Sequence, residues 1–207
     1  GFIIGNQDLA TGNGWWAGMA APNNSVIGNQ GYSSIVTDQG GADQGGAQLN
    51  VYSDYNGWGP FGNGQTNVLT KTYAPLGAIT SDLDGQTLTF SFDAKLGNIN
   101  TGPNTGSSSS AFLAVIKTSD NSYADISGTT SVTDSDIGVD WANYSISLLV
   151  DTGMVGEELQ IGFSTTTTVA WGSTGMVYDN LEVSAVSAVP VPAAAWLFGS
   201  ALAGLVA

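Results

Sequence analysis

Cysteine and histidine are both absent from this 207-residue chain. Without cysteine the protein can form neither a disulfide nor a thiolate metal site, and its redox compartment is left open. Without histidine the common nucleophile–base pairs and most transition-metal sites are excluded too. Carboxylate pairs are therefore the only catalytic groups left to consider.

Positive charge is nearly absent as well. The chain has three Lys+Arg against 17 Asp+Glu, a formal net charge of -14, and the three are Lys71, Lys95 and Lys117. Nucleic acids and anionic membrane surfaces attract proteins through basic faces, so the composition excludes both as partners held by charge. An acidic surface suits a soluble secreted protein, or one that gathers divalent cations between carboxylates.

The glutamates do not form the pair that a glycosidase needs. Such an enzyme places two acids at its site, one of them with a raised pKa. Glu157 and Glu158 are adjacent, so on a strand they face opposite sides, and Glu182 alternates with apolar neighbours as a solvent-facing residue does. We therefore predict that the protein is not an enzyme.

Alternation of apolar and polar residues predicts an all-β fold. In "QTLTFSFDAKL" at 86–96, Leu88, Phe90 and Phe92 share one face and the hydroxyl residues point away, as in an antiparallel sheet with one wet face. Glycine-rich and polar runs, including the serines at 107–110, read as loops. "GFIIGNQ" at 1–7 is either a strand of its own sheet or one that adds to a neighbour's edge. Further strands are predicted at 110–119, 143–151, 158–166 and 175–184, with weaker ones at 25–27, 32–37, 47–52 and 67–73.

The order of these features resembles that of jelly-roll carbohydrate-binding modules. The resemblance lies in "GNQDLATGNGWW" at 5–16, "LTFSFDAKLGN" at 88–98, "WANYSISLLVD" at 141–151, "LQIGF" at 159–163 and "VYDNLEVS" at 177–184. It implies a jelly-roll-type antiparallel β-sandwich over residues 1–187. From that family it also implies glycan binding and a structural calcium ion.

Two aromatic clusters are candidates for binding sugar rings. They contain Trp15 and Trp16 in one stretch, and Tyr52, Tyr55 and Trp58 in another. Aromatic faces stack on sugar rings while neighbouring amides and carboxylates bind the hydroxyls. The alternative is that these rings fill gaps at the edge of the sandwich or form a subunit interface, where aromatic residues are also enriched.

Two sets of aspartates are candidates for calcium. "TDSDIGVD" brings Asp134, Asp136 and Asp140 into one acidic loop, and a hard cation prefers oxygen ligands. The second set, Asp8 with Asp179, is implied by the jelly-roll resemblance, because modules of that family commonly clamp their first and last strands with calcium. The alternatives are a solvated loop for the first set, and a turn cap or a hydrogen bond to the neighbouring backbone for Asp179.

Residues 193–207 form an apolar tail after a proline-containing linker at 188–192. Pro192 suits the first turn of a helix, and the following residues are strong helix formers. Such a helix would be roughly 22 Å long, short of the roughly 30 Å hydrocarbon core of a bilayer. Its large apolar residues surround the axis, so the helix needs burial on all sides. They are Trp196, Leu197, Phe198, Leu202, Leu205 and Val206.

The tail resembles the C-terminal sorting signal of PEP-CTERM proteins, in which a Val-Pro-x-Pro motif precedes an apolar helix. Val189, Pro190 and Pro192 occupy the motif, and "AAAWLFGS" at 193–200 matches the start of the helix. The resemblance implies an exosortase substrate of a Gram-negative bacterium. Its place would be the cell surface or the extracellular matrix of a biofilm.

These observations predict a non-enzymatic, secreted structural protein that assembles into an oligomer or filament with the apolar helix buried between subunits. The alternative is a carbohydrate-binding module that retains exopolysaccharide at the cell surface. A further alternative is that the tail anchors a sorting precursor transiently in the membrane.

We expect a chain that ends at Ser187 to lose self-association, because it lacks the apolar helix whose burial between copies would drive assembly. Light scattering and electron microscopy of the full and shortened chains measure this. Assemblies of unchanged size in the shortened chain would refute assembly through the tail.

Overall fold

The computed structural model describes residues 3–8, 14–18, 33–53, 68–97, 106–128, 130–168 and 174–186. The predicted strand at 25–27, the linker at 188–192 and the apolar helix at 193–207 lie outside these residues. Within the described ranges, no helix has the length and apolar character needed to cross a membrane.

The described residues form eleven β-strands. Two short 3-10 turns, Ser81–Leu83 and Thr152–Met154, lie between strands. The strands are β1 (Ile3–Asp8), β2 (Gly14–Gly18), β3 (Ser33–Val36), β4 (Gln48–Ser53), β5 (Val68–Ala78), β6 (Thr87–Leu96), β7 (Ser108–Ile116), β8 (Thr130–Thr133), β9 (Ala142–Leu149), β10 (Glu158–Thr167) and β11 (Thr174–Val186).

Two antiparallel sheets stack into a sandwich. Sheet one has the order β2-β1-β5-β10-β7-β8, and sheet two has the order β3-β4-β11-β6-β9. The last eight strands pair in a nested way, β4 with β11, β5 with β10, β6 with β9 and β7 with β8. A long antiparallel hairpin rolled across two sheets gives this order, which is that of a jelly roll. The prediction of an all-β antiparallel sandwich is confirmed.

The core lies between the sheets and is rich in aromatic rings. Phe90 and Phe92 of β6 are completely buried, and Leu88 is 3% exposed, as the alternation predicted. Phe163 of β10 stacks on Tyr178 of β11 with ring centroids 3.9 Å apart. Because β10 belongs to sheet one and β11 to sheet two, this contact joins the two layers.

The prediction of a loop at 107–110 is wrong, because Ser108 already begins β7. Ser109 is buried, and its hydroxyl lies 3.0 Å from the Ser164 carbonyl oxygen and 2.8 Å from the Thr165 hydroxyl of β10. A serine run gains a place in a sheet when a neighbouring strand satisfies its hydroxyls. That partner lies more than fifty residues away along the chain.

Two further strands were missing from the sequence prediction. Residues 14–18, read there only as an aromatic cluster, form β2 at the edge of sheet one, and "TSVT" at 130–133 forms β8 at the opposite edge. Both are short and become strands by pairing with β1 and β7. The N-terminal strand β1 pairs with β5 of its own sheet, which decides between the two alternatives left open above.

In part of strand β5, small polar residues face the core and larger residues face outward, the reverse of an ordinary core strand. Thr70 and Thr72 are completely buried, whereas Lys71 and Tyr73, which alternate with them, lie on the outer face of sheet one and are partly exposed. An aromatic ring and a long cation thus lie outside the core, on the same face. The outward side chains of Lys71 and Tyr73 line the site described next.

Candidate functional site

The outer face of sheet one carries a groove that continues along the strands. A hollow of about 440 Å³ shares four residues with a neighbouring hollow of about 270 Å³. The second hollow runs into a third, of about 220 Å³, whose lining is almost entirely serine and threonine. We call the first two hollows the aromatic groove; its principal residues are Lys71, Tyr73, Phe112, Ile116, Tyr123 and Gln160.

Gly162 forms the floor of the aromatic groove. The strand register places it directly between Tyr73 of β5 and Phe112 of β7. A Cβ atom at this position would lie 2.6 Å from Tyr73 Cβ and 2.7 Å from Phe112 Cζ. A side chain here would clash with both residues and with the Thr72 carbonyl oxygen, so glycine lets Tyr73 and Phe112 pack closely on either side of bare backbone.

Tyr123 forms one wall of the groove and comes from the loop between β7 and β8. Its side chain is 68% exposed, and its backbone has a φ of 53°, in the left-handed region. An aromatic residue rarely takes this conformation, and such strain is concentrated at ligand sites. Its amide donates to the Lys117 carbonyl oxygen at 3.0 Å, which holds the loop in this shape. The loop thus presents a large exposed ring beside the groove.

Glu157 fixes the beginning of the same loop. Its Oε2 accepts hydrogen bonds from the Thr118 amide at 2.7 Å and the Ser119 amide at 3.0 Å, while the Ser119 hydroxyl donates to Oε1. The Ser119 hydroxyl first, and the Thr118 amide next, lower the pKa of Glu157 to about 2. Glu157 is therefore a charged structural acceptor and is unsuited to the role of a general acid. Glu158 lies on β10, and Glu182 is exposed on sheet two.

The polar groups of the groove are suited to binding hydroxyls. Burial, and then the nearby Glu158 carboxylate, raise the pKa of Tyr73, so its phenol stays protonated. Gln160 presents an amide, Ser110 and Ser164 present hydroxyls, and Asp125 presents a carboxylate on the wall. Aromatic faces with a few convergent polar groups are typical of small-molecule and sugar sites.

Three of the predicted sugar-binding residues lie on described strands. Trp15 and Trp16 lie on β2 of sheet one, with Trp16 opposite Gly5, which in turn lies opposite Lys71. Tyr52 lies on β4 of sheet two, opposite Gly175. Tyr55 and Trp58 lie outside the described residues.

The groove residues Tyr73, Phe112 and Tyr123 were not predicted from sequence. For Tyr73 and Phe112, the alternation of β5 and β7 indicated strands, but it did not indicate which face of each strand is buried. Tyr123 has no periodic context at all, because it lies in a loop.

The residues predicted to drive assembly, Trp196, Leu197, Phe198, Leu202, Leu205 and Val206, lie outside the described part of the chain. The same holds for the motif residues Val189, Pro190 and Pro192. These assignments stay predictions.

The three aspartates of the acidic loop do not form a ligand set. Asp134 accepts from the Ser109 amide at 2.8 Å, and Asp136 accepts from the amide and hydroxyl of Thr133. Asp140 is exposed. In the part of the chain that the structure describes, no three carboxylates have the spacing of a metal site. Two of these aspartates therefore serve as local hydrogen-bond acceptors at the β8 turn.

Asp179 has surroundings that fit a cation better. Asp8 ends β1 of sheet one, whereas Asp179 lies on β11 of sheet two, beside the loop that precedes β4. The Asp179 carboxylate accepts from the Gly45 amide at 2.9 Å. Gln48 donates to the Gly45 carbonyl oxygen, and its own Oε1 is buried without a hydrogen-bond partner in the described structure. Asp179 and Gln48 thus both contact Gly45, and a carboxylate and an unpaired amide oxygen are the kinds of oxygen donor that calcium prefers.

A calcium ion at Asp179 stays a prediction, and thermal unfolding tests it. Adding a chelator should lower Tm by about 5–10 °C, since a ligand at a hundred times its Kd contributes about 2.7 kcal/mol. Asp179→Asn should abolish the response to chelator, whereas Asp140→Asn, at an exposed aspartate, should keep it. An identical Tm with and without chelator in the unchanged protein would rule the ion out.

Glu157→Gln should destabilise the protein above about pH 4.5 and much less near pH 2. The folded pKa of about 2 lies below the ordinary value of 4.5, so ionised Glu157 stabilises the fold above pH 4.5. That stability is lost as the pH falls toward 2. Urea unfolding of both proteins at several pH values measures the difference, with Glu182→Gln as the exposed control. A difference independent of pH would contradict this account.

Comparison with known proteins identifies no family. No family model and no curated protein matches the chain. The enzymatically active domain of tailspike protein 4 of bacteriophage CBA120 has a TM-score of 0.49 at 10% identity; the match covers 74% of this chain and 18% of that one. The CBM22-1 xylan-binding domain from Paenibacillus barcinonensis has a TM-score of 0.46 at 12% identity, over 76% and 82% of the two chains. A Stig cyclase from Fischerella sp. TAU has 0.47 at 13% identity, over 76% and 75%. Likeness at the level of fold does not identify a function.

Proposed function

We propose that this protein binds a glycan chain in the aromatic groove. The observation that carries the proposal is the placement of three aromatic residues, Tyr73, Phe112 and Tyr123, on the outer side of a sheet whose core is already filled by other rings. Aromatic residues at a wet surface in contact with amide and hydroxyl groups favour sugar rings, which have apolar faces and polar edges.

The shape of the groove supports a chain rather than a single sugar. Together, the aromatic groove and the third hollow follow β7 from Ile116 to Ser108, which is nine residues, or roughly 25–30 Å at about 3.3 Å per residue. Aromatic side chains lie at one end and hydroxyls at the other. The hydroxyl end is lined by Ser108, Ser110, Ser131, Thr133, Ser164 and Thr166. Several linked sugar units would be needed to contact both ends.

The carboxylates near the groove support binding rather than hydrolysis. Asp125 Oδ1 accepts from both the amide and the hydroxyl of Ser127, and Glu158 Oε1 accepts from the Gln160 amide at 2.6 Å. Glu157 is engaged by the loop after β7. Each acid thus has a structural partner, whereas a glycosidase keeps two acids free to act on the bond.

Placement at the bacterial surface or in the extracellular matrix, and assembly through the tail, remain part of the proposal on the strength of the sequence alone. The Val189–Pro190 motif and the apolar residues after it support them. The two roles are compatible, because no residue named for the groove belongs to the tail sequence. Deleting the tail should therefore leave glycan binding intact.

Tyr123→Ala should weaken glycan binding by about tenfold, because it removes the exposed ring that would stack on a sugar. Isothermal titration calorimetry against a panel of neutral and acidic oligosaccharides measures the affinity. Tyr123→Phe keeps the ring and should bind within about twofold of the unchanged protein. Tyr52→Ala, on sheet two, is the control for a tyrosine outside the groove. Failure of the unchanged protein to bind any oligosaccharide would refute the proposal, as would equal binding by Tyr123→Ala.

A further inference from the structure

Lys71 lies in the aromatic groove, on the outer face of β5. Its Nζ lies 5.2 Å from the centre of the Phe112 ring, and the side chain is partly buried. Among the described residues, the one ion pair joins Lys117 to Asp120, so Lys71 forms none there. The chain has only three basic residues, and one of them is thus placed inside the groove.

The ammonium group of Lys71 has lost part of its hydration. Burial lowers the pKa of Lys71, and the nearby Asp125 opposes this shift without forming an ion pair. A partly desolvated cation is unfavourable until an anion or a set of hydrogen-bond acceptors compensates it. The Phe112 ring supplies part of that compensation through its π face. A ligand carboxylate in the groove would supply the rest.

We propose, resting on the glycan-binding function above, that the bound chain carries an isolated carboxylate, such as one uronic acid, which pairs with Lys71. The sugar ring that bears the carboxylate stacks on the aromatic residues of the groove, and its acidic group reaches the Lys71 ammonium. A charge-assisted hydrogen bond of this kind is roughly twice as strong as a neutral one.

The remaining charges of the protein restrict how acidic the chain can be. Asp125 lines the same hollow as Lys71, Glu158 lies close to Tyr73, and the net charge is -14. These charges repel a chain with an acid on every sugar. At physiological ionic strength repulsion is screened beyond about 8 Å, so a single carboxylate at Lys71 is repelled mainly by Asp125, whereas an acid on every sugar adds repulsion along the whole groove. The ligand class is therefore a mainly neutral glycan with widely spaced acidic residues.

Lys95 provides a matched control on the other sheet. Its Nζ lies 5.3 Å from the centre of the Trp141 ring, almost the same arrangement as that of Lys71 over Phe112. The Trp141 indole, however, donates to the Gln39 carbonyl oxygen at 2.8 Å and so helps to attach a loop to sheet two. Replacing Lys95 removes a lysine from an aromatic ring without changing the groove.

The test compares two matched pairs of probes. The first pair is xylohexaose with and without one glucuronic acid branch. The second pair is methyl glucuronide and methyl glucoside, whose binding does not depend on the sugar backbone of a glycan chain. Calorimetry measures the hexaoses, and NMR titration measures the weakly binding monosaccharides. An oligomer of polygalacturonate represents a fully acidic chain.

The unchanged protein should bind the acidic member of each pair roughly tenfold more tightly than the neutral one at low salt. It should bind the polygalacturonate oligomer more weakly than the branched hexaose. Lys71→Met should remove the preference for the acidic probes, Lys71→Arg should keep it, and Lys95→Met, outside the groove, should leave both the preference and the neutral affinity unchanged. Melting curves check that each variant is folded.

The outcomes separate this inference from the function on which it rests. Equal binding of acidic and neutral probes by the unchanged protein would overturn the role of Lys71 and leave glycan binding standing. Tightest binding of the polygalacturonate oligomer would also overturn it, as would a preference that survives in Lys71→Met. No binding of any probe would count against both proposals.

Discussion

The stacking of Phe163 on Tyr178 is the contact on which the sandwich depends. The two residues lie on inner strands of opposite sheets, so their rings join the two layers away from the sheet edges. Phe90 and Phe92 lie within 6.1 Å of Phe163, and all four rings are completely shielded from water. Aromatic rings each bury a large apolar area, which makes this cluster the main source of stability. The burial also raises the pKa of Tyr178, which keeps its phenol neutral inside the core.

A core filled in this way leaves other aromatic residues for the outer face. Thr70, Thr72 and Thr165 occupy the inner side of sheet one, where the Thr165 hydroxyl pairs with that of Ser109. The Thr72 hydroxyl has no hydrogen-bond partner within the described structure. Tyr73 consequently lies outside, next to the gap that Gly162 leaves. The aromatic groove is therefore a consequence of how the inner face is packed. Its wall, Tyr123, depends in turn on the hydrogen bonds that Glu157 makes to the loop.

Sheet two uses its polar residues in a different way. Asp93 accepts hydrogen bonds from the side-chain amides of Gln44, Asn143 and Asn180. Partial burial opposes ionisation of Asp93, but these three amides outweigh it and hold the pKa below its ordinary value. The network fastens the loop before β4 to the sheet, where Asp179 and Gln48 also lie. Sheet two thus carries a polar loop that hydrogen bonds hold in place, whereas sheet one carries an open aromatic groove.

Much of the scaffold could be predicted from amino-acid order. The alternation around Leu88, Phe90 and Phe92 was enough to assign a strand and its buried side, because period-two patterns are local and the large residues had one face to themselves. The composition was enough to exclude thiol and histidine chemistry and charge-driven binding to nucleic acid. Where both faces of a strand carry apolar groups, as in β7, the same reasoning could not tell the inner side from the outer side.

The candidate site was decided by the folded chain. Tyr73, Phe112 and Gly162 are far apart in sequence and meet only because β5, β10 and β7 pair in one particular register. The same is true of the serine run, which joins a sheet through Thr165, and of Asp134, which accepts a hydrogen bond from Ser109 on the neighbouring strand. Local patterns report the conformational preference of a segment. Which side chains face each other across strands depends on the register and packing of the whole sandwich.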